Sequence, residues 1–129
     1  MPRKKPASTQ WLEAGAGLRA WAARTGSVAR IEETEDDRRY GLVVRPDRAD
    51  AKRFEMWIGI DGKFDLFCGA IRFEHDPIPP ASALLRFCEA VGDGKVTETE
   101  WLWRGRSMKL VTQVETDDKW QSQWWRTWT

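Results

Sequence analysis

A single histidine, His75, stands between Glu74 and Asp76 at the end of an apolar-rich segment. An imidazole beside carboxylates is what a general base with an orienting acid would use. Neighbours on a strand point to opposite faces, however, and no nucleophile in a recognisable setting stands nearby, so a surface or turn histidine is expected. Cys68 and Cys88 lie in apolar contexts, where a thiol acts as a small hydrophobe rather than a redox group. One histidine and two scattered cysteines lack the paired spacing of a zinc site. Five acids lie between Glu32 and Arg39, but without the glycine and ligand spacing of a calcium loop; a solvated, mobile hairpin tip is expected there. No catalytic residue, metal or cofactor follows from these residues.

What does stand out is nine tryptophans in 129 residues. Indole is costly to leave in water and common where proteins meet partners or stack ligands. The question is therefore which of them a core can use.

The elements decide. Ser8 or Thr9 can cap a helix whose stripe is Trp11, Ala14, Leu18, Trp21 and Ala22, closed by Thr25-Gly26. Strands are expected over 28–31 and 40–44, with a polar loop over 45–53. A hairpin follows, 54–60 and 63–73 around Asp61-Gly62. A bulged loop with Gly62 left-handed pairs Ile58 with Phe64, Met56 with Leu66 and Phe54 with Cys68, collecting six apolar residues on one face. Trp57 and Phe67 then share the opposite face with Glu55, Lys63 and Asp65, and Ile71 and Phe73 are expected to continue that side. An aromatic pair ringed by charges suits a partner-binding patch, or a surface under a second helix.

Asp76-Pro77-Ile78-Pro79-Pro80 leads into a second helix with the stripe Leu84, Phe87, Cys88 and Val91, stopped by Gly92. A second hairpin, 95–104 and 107–115, is expected around a type II′ turn with Gly105 in first central position. That register pairs Trp101 with Leu110 and Trp103 with Met108 and sends both tryptophans to the core. The last stretch carries Trp120, Trp124, Trp125 and Trp128. Asp117-Asp118 can turn the chain into a strand, or Asp117 can cap a helix; the strand is preferred for its Trp and Thr content. These four either seal this chain's own sheet or dock on another molecule.

Composition bounds the rest. A chain of this length forms one domain, here 8–129 behind a disordered basic tail, 1–7. With 21 Lys+Arg against 20 Asp+Glu, the net charge of +1 exerts no global pull on nucleic acid, which is not the expected partner; Trp120, Trp124, Trp125 and Arg126 suit at most a single strand. No apolar run reaches membrane-spanning length and no secretory segment precedes the cysteines, so a cytoplasmic protein without a membrane partner is expected. The fold class expected is α+β: an antiparallel sheet of about six or seven strands with two helices on one face.

The element order is similar, in topology alone, to that of the type III secretion chaperones, from which the strand count departs by one. That resemblance implies a dimeric α+β protein that holds a partner chain. The functional expectation is a non-catalytic binding protein that self-associates or takes a protein partner, with Trp57, Phe67, Trp120, Trp124, Trp125 and Trp128 as interface residues. The alternative is a pocket walled by tryptophan for a sugar or small aromatic ligand.

Overall fold

A computed structural model describes residues 7–25, 29–46, 52–118 and 120–125, with the backbone alone at 7, 8, 29 and 121–125. Among these, two helices and eight strands follow in the order α1 (Ala7–Thr25), β1 (Ala29–Glu35), β2 (Arg39–Pro46), β3 (Phe54–Gly59), β4 (Lys63–Cys68), β5 (Ile71–Pro77), α2 (Ala81–Gly92), β6 (Val96–Trp103), β7 (Arg106–Val114) and β8 (Trp120–Trp125). The architecture is α+β with antiparallel strands, as expected. The strands divide into two meanders, β1-β2-β3-β4-β5 and β6-β7-β8. Residues 1–6 of the expected tail and much of the loop after β2 lie outside the described residues, while Ala7, expected in the tail, opens α1.

Helical periodicity places the core. In α1, Ala14, Leu18, Trp21 and Ala22 are buried, with Trp11 packed beside them. In α2 the stripe is Leu84, Phe87, Cys88 and Val91. Gly92 is the last residue of α2 rather than its stop. The left-handed residue that turns the chain is Gly94, at φ 74°, where the amides of Asp93, Gly94 and Lys95 bond back to Glu89, Val91 and Ala90. The helices pack on each other, and α1 lies against β3. Opposite them, Tyr40, Leu42, Val44, Phe54, Met56, Ile58, Phe64, Leu66 and Cys68 form the inner face of the large sheet.

The β3–β4 hairpin has the bulged-loop register. Met56 stands opposite Leu66 and Ile58 opposite Phe64. Gly62 is left-handed at φ 82° and donates its N–H to the Gly59 carbonyl.

Three further expectations are corrected. The acidic stretch 32–39 is mostly strand rather than a mobile tip. β1 pairs with β2 as far as Glu35 opposite Tyr40, and Asp36 closes a tight turn by accepting the amides of Arg38 and Arg39. An edge strand tolerates this charge because its outer side faces water.

The segment 63–73 is two strands, because the chain turns at Gly69, φ 57°. A Cβ there would run into Glu98 and Thr112 of the second sheet, so glycine is required where the sheets touch. The turn sends Ile71 into the core and Phe73 against it rather than onto the outward face.

The β6–β7 register is displaced from the expected one. Arg104 and Gly105 both have positive φ, which makes a type I′ turn pairing Trp103 with Arg106, and a bulge at Met108 leaves Trp101 opposite Lys109. A one-residue slip exchanges the faces of a strand. Trp101 and Trp103 therefore stand in solvent, 47% and 49% exposed.

β8 is a strand, paired with β7 from Trp120 opposite Val114 to Trp125 opposite Lys109. The turn before it is tied to α2 by Arg86, whose Nε and Nη2 each donate to the Asp118 carboxylate at 2.7 Å. Among the described residues no helix is long and apolar enough to cross a membrane.

Candidate functional site

The outward face of the large sheet is built around Trp57. In β2–β3 pairing Trp57 stands opposite Gly41, and its ring occupies the space a Cβ at Gly41 would need. Glycine in this strand thus leaves a slot into which the indole lies flat. The Arg39 guanidinium covers Trp57 at 4.7 Å from the ring centroid, and the indole Nε1–H donates to Glu55 at 2.7 Å. Asp65, opposite Trp57 on β4, accepts a bond from Arg39 at 3.3 Å. Half-buried and fixed at its N–H, the indole is a rigid apolar surface with polar groups around it.

Phe67 shares this face. It pairs with Glu55 on β3 and with Arg72 on β5, and Arg72 lies over the phenyl ring at 5.6 Å while donating to Glu74. Both aromatics thus carry an arginine stacked on the ring, an arrangement of modest strength while solvated.

His75 enters the same region by a route that strand alternation does not foresee. Pairing shifts between Phe64 and Leu66, so Glu74 and His75 together oppose Asp65, and His75 takes φ 59°, a left-handed conformation uncommon for a residue with a side chain. Asp65 holds the bulge by accepting the His75 backbone N–H at 2.8 Å. A bulge re-aims a side chain. Here it brings His75 to the wall of an open cleft of about 490 Å³, shared with Arg38, Arg39, Trp57, Lys63 and Asp65.

The other expected interface residues separate. Trp120 is 7% exposed and packs within this chain against Phe87, Phe73 and Phe64, with ring centroids at 5.1, 5.8 and 6.3 Å. It is a core residue on the inner side of the sheet and leaves the candidate set. Trp124 stands opposite Leu110 and Trp125 opposite Lys109 in β8; their side chains, and Trp128 altogether, lie outside the described residues. Sequence reasoning missed Gly41, Arg39 and Arg72, and the glycine inside the apolar strand Tyr40–Val44 was the available signal of a close approach.

The cysteines offer no reactive site. Both are unpaired and buried; burial pushes the Cys68 thiol up to about 11 and Cys88 also well above its ordinary value. Among the described residues no cluster of His, Cys, Asp and Glu is arranged to hold a metal. Comparison with family models, curated proteins and solved structures found no match.

Proposed function

We propose that this chain is a non-catalytic, cytoplasmic protein-binding module whose partner, a second copy or another protein, seats on the outward face of the large sheet. The observation that carries this reading is the Gly41–Trp57–Arg39 stack. A strand gives up a side chain so that an indole lies flat on a surface that no element among the described residues covers, and a preformed aromatic platform is what interface anchors require. Phe67 under Arg72 extends the platform, and the interleaved Glu55, Asp65 and Glu74 supply a polar rim. The two unpaired cysteines support a reducing compartment. The test is a photo-crosslinking amino acid at position 67, expressed in the source cells. A discrete adduct, at twice the chain mass for self-association or at another defined mass for a different protein, is expected, and Trp57→Ala abolishes it. A chain that forms no adduct, or one indifferent to Trp57→Ala, overturns the reading.

The cleft beside Trp57 favours a second reading, a small anionic ligand with a flat ring. Its volume of about 490 Å³ is in the range of ligand sites, roughly 300–1,000 Å³. Arg38, Arg39 and Lys63 outnumber the carboxylates of Asp61 and Asp65 in the lining, and the Arg39 guanidinium laid over Trp57 offers a flat cationic face for a ring. A panel of aromatic carboxylates followed by tryptophan fluorescence tests it: saturable quenching lost in Trp57→Phe and His75→Ala supports a ligand site, and no quenching removes it.

A further inference from the structure

The β6–β7 hairpin ends in Trp101-Leu102-Trp103-Arg104-Gly105-Arg106, away from the buried end of the second sheet. Among the described side chains of this sheet the buried ones are Thr112, Val114 and Trp120 at the opposite end, while Trp101, Leu102 and Trp103 are 47%, 62% and 49% exposed. The extra residue of the bulge is Met108 on β7, so β6 keeps its alternation. Trp101 and Trp103 therefore lie on one side of the ribbon and Leu102 on the other. The charge at the tip is one-sided too: residues 101–109 include Arg104, Arg106 and Lys109 and no acid, in a chain that is otherwise nearly balanced, and the nearest carboxylate along β6 is Glu100, opposite Leu110. Two of these cations rest on the indoles, Arg104 at 4.5 Å from the Trp103 ring and Lys109 at 4.6 Å from that of Trp101.

The geometry points to a peripheral membrane contact in which this tip inserts into the headgroup region of an anionic bilayer. A flat protein surface or a stack of bases covers one side of a β-ribbon. Here both sides are apolar at the same level, which suits immersion in a medium that surrounds the tip. An anionic interface supplies both complements at once, lipid phosphates for the Arg104 and Arg106 guanidinium groups and the acyl boundary for the indoles and Leu102. Such contact requires no spanning segment, and it uses a surface separate from the Trp57 platform.

The test is co-sedimentation of the full chain with phosphatidylcholine vesicles, with and without phosphatidylglycerol, at low and physiological salt. Binding to the anionic vesicles alone is expected, weakening as salt rises. Arg104→Gln/Arg106→Gln lowers the affinity by about twenty-five-fold, from a factor of about five per cation near an anionic surface, and Trp101→Ser/Trp103→Ser abolishes binding. These side chains are exposed, so both variants keep the wild-type circular dichroism. Trp57→Ser binds vesicles as the wild type does, which separates this inference from the protein-binding reading. The inference is overturned if the wild type stays in the supernatant at low salt, binds neutral vesicles equally, or binds undiminished in the tip variants. Tip-dependent binding of oligothymidylate, or tip-dependent dimerisation, without vesicle binding would assign the tip to nucleic acid or to a second copy and equally overturn it.

Discussion

The indole of Trp57 fills the space above Gly41, so closely that even a methyl group on Gly41 has no room. In a solvated strand Gly→Ala ordinarily stabilises by about 0.4–1 kcal/mol, through the unfolded chain. Here Gly41→Ala should destabilise by about 1–3 kcal/mol, the range for overpacking, as read by urea denaturation. In a Trp57→Ala background the same change should cease to be unfavourable. An additive cycle between the two positions contradicts the contact.

Thr112 joins the two sheets. Its Oγ1 accepts the Ala70 amide at 2.7 Å and donates to Glu98 at 3.3 Å, and the residue is fully buried. Thr112→Val keeps the shape but strands the Ala70 amide, so a loss of about 1–3 kcal/mol is expected. Hydrogen exchange at Ala70 should accelerate more than exchange within β2 or β3; uniform acceleration argues against a local clip.

Trp120 locks β8 into the core, yet its buried Nε1 finds no hydrogen-bond partner among the described residues. What it contributes is therefore ring packing. Trp120→Ala should cost about 3–5 kcal/mol, whereas Trp120→Phe, which removes only an unsatisfied donor and part of the ring, should cost distinctly less. Equal losses in the two variants would show that the indole N–H matters.

Tyr40 is the chain's single tyrosine. Burial, and a 2.8 Å hydrogen bond from its hydroxyl to Glu33, raise its pKa above the ordinary value of 10.0. The folded state therefore favours the protonated phenol. This contribution to stability is complete below pH 10 and is lost as pH rises through the higher folded value. Tyrosinate absorbance should show no native titration at the ordinary value, appearing only higher or with unfolding. An inflection at the ordinary value in the folded protein refutes the burial argument.

Cys68 and Cys88 should resist an aromatic disulfide reagent at neutral pH, because burial withholds the thiolate. In increasing urea both should become reactive together, following global unfolding. Fast labelling of Cys68 alone would mean that the Gly69 turn opens independently.

Particular residues show how far the sequence carried. Alternation around Asp61-Gly62 fixed the β3–β4 register, because only one loop geometry gathers Phe54, Met56, Ile58, Phe64, Leu66 and Cys68 on one side; Trp57 and Phe67 then had to face outward. The same reasoning failed at Gly105, where positive φ at both Arg104 and Gly105 displaced the register and exchanged the fates of Trp101 and Trp103. A glycine in a two-residue turn is compatible with either turn type, and the flanking residues carry apolar groups on both faces. The bulge that brings His75 to the cleft was equally invisible, since it answers to Asp65 across the sheet rather than to its neighbours in the chain.

The sequence by itself determined the α+β class, both helix stripes and the outward placement of Trp57 and Phe67, because period and turn chemistry are local. Only the tertiary structure decided that the strands form two sheets, that Trp120 is core while Trp101 and Trp103 are surface, and that Gly41 accommodates Trp57. Those outcomes depend on contacts between segments distant along the chain, and no local pattern encodes which of two available faces another element will cover.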